Sequence, residues 1–444
     1  MIKRLSEKLK NDLHLKEIIK GSSVAVFLRF TGLFLGYIFT LLITRNYGAK
    51  AMGVFSLSLV ILEIGTVFGK LGTDSAILKF VPEYLAKGKT RTVLSTYKKI
   101  LKVAMVTSVI SAGIFFLFSQ QIAIFVFKKP NLTQALKIAS ISIIPFALLS
   151  LHREAFRGLK KIKEYMLLQQ PGLFITASIV IAIFILNGFL EDTAPVISYL
   201  VALTVVCIVA VFFWNKKLKE NLKTANKGES LPLKYILSVS LPMMMSSSLA
   251  VVMNIADTAI LGIYRPENEV GIYTVAIKLA TLSAIGLFAI NAIAVPKIVE
   301  CWGKKDLNTL TKIARQSATL TFFSAFPIIF IFFLMPDFIL NFFGQEFGHG
   351  ATALKILLMA QGINAFFGSN DNIVKMTGHQ VFHQNTIIAA TILNIGLNFT
   401  LIPLYGLKGA ALATAISILF WNIVFAFKVR KILGKWVFCN PFSI

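Results

Sequence analysis

Long apolar runs separated by short polar ones dominate this chain, and the polar residues inside the runs recur at helical spacing. Crossing a bilayer as a helix takes about 20 mostly apolar residues. Runs of that kind predict twelve spans, at 21–45, 51–73, 94–119, 134–152, 167–188, 193–214, 235–262, 270–296, 313–336, 350–370, 382–403 and 406–428. The first twenty residues differ: Leu5, Leu9 and Leu13 recur at helical spacing among basic residues. That pattern predicts an amphipathic helix over 1–20 lying on the cytoplasmic membrane face, with no cleavable signal.

Composition supports the pattern. The chain has 444 residues, 56% of them hydrophobic and 15% charged, with a mean hydropathy of +0.76. Soluble domains carry about 25% charged residues. The fold class is therefore an all-α polytopic membrane protein embedded in the lipid bilayer.

A net charge of +25 raises the question of nucleic acid, and the placement of the charges answers it. Of the 45 Lys and Arg, four lie within spans (Arg29, Lys137, Lys278, Lys355). Six belong to the outer loops and the span ends beside them (Arg45, Lys50, Lys128, Lys129, Arg265, Lys408), which leaves 35 in the cytoplasmic segments and their flanks if the N-terminus is inside. That bias orients the chain with both termini cytoplasmic and the span number even, and no nucleic-acid partner is implied.

The chain also repeats itself. AMGVFSLSL (51–59) aligns with EVGIYTVAI (269–277), placing Gly53 over Gly271 and Phe55 over Tyr273, and ALKI occurs at 135–138 and 353–356. Both pairs share an offset of 218 residues. Two six-helix lobes of like orientation follow, at 21–214 and 235–430, with a basic cytoplasmic linker over 215–234 and a tail over 431–444. Repeats of this kind place a substrate site between the lobes, near the membrane midplane.

Polar stripes mark the candidate lining. Span 1 carries Ser22, Arg29, Gly36, Thr40 and Thr44 on one face, and span 2 carries Ser56, Glu63, Thr66, Lys70 and Asp74. Span 7 carries Ser247, Asn254, Asp257 and Thr258, and span 8 carries Thr274, Lys278 and Thr281. At ~1.5 Å of rise per residue Arg29 and Glu63 lie at similar depth, as do Asp257 and Lys278. Two readings stay open: interhelical ion pairs, Arg29 with Glu63 and Asp257 with Lys278, or residues lining a wet cavity. Arg29, Glu63, Lys70, Asn254, Asp257 and Lys278 are the substrate-binding candidates. Lys70 and Asp74 are expected to form an interfacial pair, and Asn394 and Asn398 to bond between helices.

Several chemistries are excluded. There is no GxxxxGK[ST] phosphate loop and no HExxH, the outer loops are short, and Cys207, Cys301 and Cys439 lack metal-ligand spacing. No catalytic residue, metal or cofactor is expected.

GAKAMGVFSLSLVILEIGTVFGKLGTDSAILKFVPEYLAKGK (48–89), VMNIADTAILGIYRPENEVGIYTVAIKLA (252–280), FFGQEFGHGATALKILLMAQGINAFFGSNDNIVKMTGHQ and NIGLNFTLIPLYGLKGAALATAIS together resemble the polysaccharide flippases of the Wzx type. These belong to the superfamily that also holds lipid II flippases and multidrug and toxin extruders. The resemblance implies translocation of a polyprenyl-pyrophosphate-linked oligosaccharide from the inner to the outer leaflet of the cell membrane by alternating access, for cell-surface polysaccharide biosynthesis. It also implies a cationic cavity lined by helices 1, 2, 7 and 8, where Arg29 and Lys278 fall. A coupling ion, proton or sodium, and contact with a glycan polymerase and other surface-polysaccharide machinery go with it. The lipid II branch carries two further C-terminal helices, and this chain stops at Ile444, which favours the polysaccharide branch. The alternatives are a drug and organic-cation antiporter, which would want acidic residues in its cavity, and a membrane glycan polymerase or ligase, against which the short outer loops count.

Overall fold

The computed structural model describes residues 13–221 and 229–440. Leu5 and Leu9 of the expected amphipathic segment, the middle of the linker and the last four residues lie outside the described residues. The described residues form helices and turns, with no strand among them. In chain order the helices are α1 (Leu13–Lys70), α2 (Thr73–Ala86), α3 (Thr90–Leu117), α4 (Leu132–Gly158), α5 (Ile162–Gln169), α6 (Pro171–Leu186), α7 (Ala194–Asn221) and α8 (Leu233–Tyr264). They continue as α9 (Glu267–Leu282), α10 (Ile285–Gly303), α11 (Leu307–Leu334), α12 (Pro336–Asn341), α13 (Ala351–Phe367), α14 (Asn370–Met376), α15 (Gln380–Tyr405) and α16 (Leu407–Leu433).

Eleven segments among the described residues are long and apolar enough to cross a membrane, one of them the 44 residues Phe27–Lys70. At 1.5 Å per residue that segment reaches about 66 Å, enough for two crossings of a core about 30 Å thick. It contains spans 1 and 2. Where the sequence predicts a loop, the helix only kinks, at Gly48 with φ 80° and ψ −175°, a conformation that only glycine adopts readily. Span 5 is divided instead, because Pro171 has no N–H to continue α5 and takes the first position of α6. Span 8 becomes α9 and α10, interrupted at Ser283 and Ala284.

The chain divides into two compact units, Met1–Tyr47 with Ser58–Val251, and Gly48–Leu57 with Val252–Ile444. In the first, Gly32 and Gly36 of α1 meet Gln170, Pro171 and Phe174. Such small residues four apart let helix backbones approach in lipid. The linker is tied down where it is described, with the Thr92 hydroxyl donating to the Glu229 carbonyl at 2.8 Å and Lys99 to that of Leu231 at 2.7 Å.

In the second unit the end of the chain folds back onto the helices. Val437 joins a core with Ile298, Leu310, Ala314, Val374 and Phe425. Cys439 N–H donates to the Phe366 carbonyl at 2.8 Å, and the Phe438 and Phe366 rings stack.

The repeats reappear as matching environments. In both ALKI copies the Ala and Leu are buried. Lys137 sits over the Phe116 ring at 5.6 Å and Lys355 over Phe333 at 5.5 Å, so each lysine meets an aromatic ring of the preceding long helix.

Candidate functional site

The first unit gathers its charges around α1. Glu63 is partly buried and interacts electrostatically with Lys70, two turns along the same helix. Lys70 in turn bonds Asp74 at 2.7 Å, with side chains 18% and 11% exposed. This is the expected interfacial pair, but it spans a break: α1 ends at Lys70, Leu71 and Gly72 have positive φ, and Asp74 lies on α2.

The sequence did not single out what lies opposite. Tyr199 of α7 is in electrostatic reach of both Glu63 and Arg153, and Glu154 of Arg153, Arg157 and Asp74. Arg153 Nε is buried with no hydrogen-bond partner. These α4 residues sit at the very end of an apolar run and read there as cytoplasmic flank.

Among the described residues no bond joins Arg29 to Glu63, and the charge in electrostatic reach of Glu63 is Lys70. Arg29 is exposed on α1, whereas Thr40 and Thr44 on the same stripe are buried and bond to carbonyls of their own helix. The stripe therefore has two environments, since Gly36 packs against Phe174 and draws its outer half into the unit.

The second unit is built around one carboxylate. Asp257 of α8 is 6% exposed. Its Oδ2 accepts from Tyr273 of α9 at 2.8 Å and from the Thr414 hydroxyl of α16, and its Oδ1 accepts from Asn398 Nδ2 of α15 at 2.6 Å. Asn398 also donates to Asn394 Oδ1 at 3.0 Å, and its own Oδ1 is buried without a partner.

The expected Asp257 and Lys278 pair does not form. Both oxygens of Asp257 are taken by neutral donors, and among the described residues no cation bonds to it. Lys278 is partly buried on α9 and Asn254 is exposed on α8, so the residues of this stripe also part company. The sequence marked Asn394 and Asn398 as interhelical bonding residues; Asn398 does bond between helices, to Asp257, whereas Asn394 accepts from Asn398 within its own helix. Thr414 left no signal and Tyr273 stood out only in the repeat alignment, because tyrosine and threonine are ordinary residues in membrane helices.

A lone carboxylate in a hydrocarbon-level core is costly unless it is protonated or balanced by a cation. The Asp257 carboxylate, the Asn394 and Asn398 carbonyls and the Thr414 hydroxyl supply the hard oxygen atoms that suit sodium-like ions.

Comparison with known proteins extends this picture. Residues 42–351 match the family described as polysaccharide biosynthesis protein. A stretch of 165 residues, 36% of this chain, is 26% identical to the probable low-salt glycan biosynthesis flippase Agl15 of Haloferax volcanii, and spans about a third (34%) of that protein. The fold resembles a solved lipid II flippase MurJ in an inward closed conformation, with TM-score 0.73, 16% identity and coverage of 93% of this chain and 87% of that one. It equally resembles an inward-facing multidrug resistance transporter of the MATE family, with TM-score 0.73, 14% identity and coverage of 90% and 94%.

Proposed function

Since this chain belongs to the polysaccharide biosynthesis protein family, we propose that it is a flippase carrying a polyprenyl-pyrophosphate-linked oligosaccharide from the inner to the outer leaflet of the cell membrane by alternating access. It is a multi-pass membrane transporter and not a catalyst. The observation that carries the reading is the extent of the family match, residues 42–351, which takes in Glu63, Lys70, Asn254, Asp257 and Lys278.

In this reading Arg29 meets the pyrophosphate when the transporter opens to the cytoplasm. Guanidinium stays charged and donates two parallel hydrogen bonds to phosphate oxygens. Glu63 is in electrostatic reach of Lys70, which supports a substrate role for Arg29 over a clamp with Glu63. Lys278, half-buried on α9, is a second cation for the glycan phosphates.

The oxygen cluster at Asp257 supports a finer reading, in which glycan movement is coupled to a monovalent cation held there. The pairing with Lys278 would have kept the carboxylate ionised and argued against proton carriage. Without it, proton and sodium are both open to Asp257.

The test is transport of a lipid-linked glycan by the purified protein in proteoliposomes, with a sodium gradient, a proton gradient or neither. Gradient-driven glycan flipping is the expected result. Flipping indifferent to both gradients removes the coupling and keeps the flippase, whereas movement of organic cations without glycan favours the antiporter.

A further inference from the structure

Three stretches far apart in sequence meet in the second unit. Gly48 to Phe55 of α1 crosses the start of α9, and the turn Gln345–Gly350 closes on both. The crossing is reciprocal. A methyl group on Gly53 would lie 1.7 Å from the Glu267 carbonyl oxygen, and one on Gly271 would lie 2.0 Å from that of Ala49. Ala49 and Glu267, like Gly53 and Gly271, are related by the repeat offset of 218 residues. The two copies thus touch backbone to backbone through the same atoms, as residues beside a two-fold axis do.

One feature breaks this symmetry. The Ala49 N–H, at the start of the helix beyond the Gly48 kink, donates to Glu346 Oε1. The turn that carries Glu346 rests on α9, where Gly350 packs against Ile272. At the repeat-related position, 218 residues earlier, stands Lys128, which cannot accept a hydrogen bond. A carboxylate at a helix N-terminus is favoured both by the free N–H groups and by the dipole.

We propose that this crossing is a releasable clasp, with Gly48 as its hinge and Glu346 as its catch. Within lipid, separating apolar helix faces forfeits no hydrophobic gain, so close backbone packing and hydrogen bonds do the holding. Glycine-to-backbone contact has no interlocked side chains to unthread, and Gly48 lets α1 bend there without unwinding either half. The clasp rests on the transporter reading, in which this end must both close and open.

The test needs no substrate. Spin labels at the exposed positions Lys50→Cys and Asn268→Cys, with Cys207, Cys301 and Cys439 replaced, are followed by double electron–electron resonance in lipid nanodiscs. Two distance populations are expected, the shorter matching this structure. Glu346→Gln should shrink the shorter one by about fivefold or more, the difference between a charge-assisted and a neutral hydrogen bond, and Gly53→Ala should abolish it. Glu346→Gln removes no packing, so it decides the matter even if Gly53→Ala does not fold. A single short population in both the parent and Glu346→Gln overturns the clasp and leaves the flippase reading standing. Two populations in a protein that moves no glycan would retain the clasp and sink the flippase reading.

Discussion

The two units deal with buried charge in opposite ways. In the first, Glu63, Lys70 and Asp74 form a string of alternating sign at the end of α1, faced by Arg153 and Glu154. In the second, Asp257 is held by Tyr273, Asn398 and Thr414, and no cation bonds to it among the described residues. Glu63, Lys70 and Asp74 together with Arg153, Arg157 and Glu154 set three cations against three carboxylates, so the group balances its own charge. A carboxylate satisfied only by neutral donors keeps its full charge in a low dielectric, so a proton or a small cation has a reason to go there. On the proposed coupling, the difference separates residues that hold helices together from one that would hold the ion.

The largest effect should come from breaking the second arrangement. Asp257→Ala takes the acceptor from two buried donors, Tyr273 and Asn398, and from the partly buried Thr414, at roughly 1 to 3 kcal/mol for each donor left unsatisfied, and should lower the yield of folded protein. Asp257→Asn keeps the shape, so it should fold, yet lose gradient-driven transport by at least about tenfold, a difference of ~1.4 kcal/mol. Normal gradient dependence in Asp257→Asn, measured in proteoliposomes, would erase the contrast between the units.

The first unit should behave as a pair. Lys70→Gln or Asp74→Asn alone should destabilise by about 1 to 2 kcal/mol, between values for exposed and buried pairs, and the double variant should recover much of it. A double-mutant cycle on detergent-solubilised protein reads this, and strict additivity would show that the bond at 2.7 Å carries no coupling.

A smaller effect sharpens the likeness of the repeats. Lys137→Met and Lys355→Met each remove one cation–π contact, at about 0.5 to 1 kcal/mol, and should shift thermal stability by similar amounts. A large disparity would mean that one lysine serves the substrate.

The smallest effect is expected at Asp306, an exposed carboxylate with no buried cage, on which Lys304 acts only weakly beside the hydrogen bonds. It caps α11 by accepting from Thr309 N–H at 3.0 Å, and these hydrogen bonds hold its carboxyl below the usual value of 3.8. A depressed carboxyl contributes stability above its ordinary pKa and loses it as pH falls through the lowered value. The gap in melting temperature between the parent and Asp306→Asn should therefore narrow below about pH 4. A gap that stays constant with pH would mean that the cap bond does not depend on charge.

The sequence by itself determined the membrane class and the number of apolar runs, because a bilayer imposes length and hydropathy one segment at a time. It also aligned Gly53 with Gly271, and that alignment turned out to mark a contact. It picked out Asp257 and the Asn394 and Asn398 pair, since polar groups stand out in an apolar run. Tertiary structure decided which of these groups meet. Depth along a helix put Asp257 level with Lys278 and Arg29 level with Glu63, but equal depth says nothing of rotation about the helix axis, and the rotation set by packing gave Asp257 to Tyr273, Asn398 and Thr414. Gly36 against Phe174 turned half of the Arg29 stripe inward for the same reason. The Gly48 kink and the Glu346 cap were beyond reach as well, because a hydrogen bond across 297 residues depends on where the chain returns, and no local spacing records that.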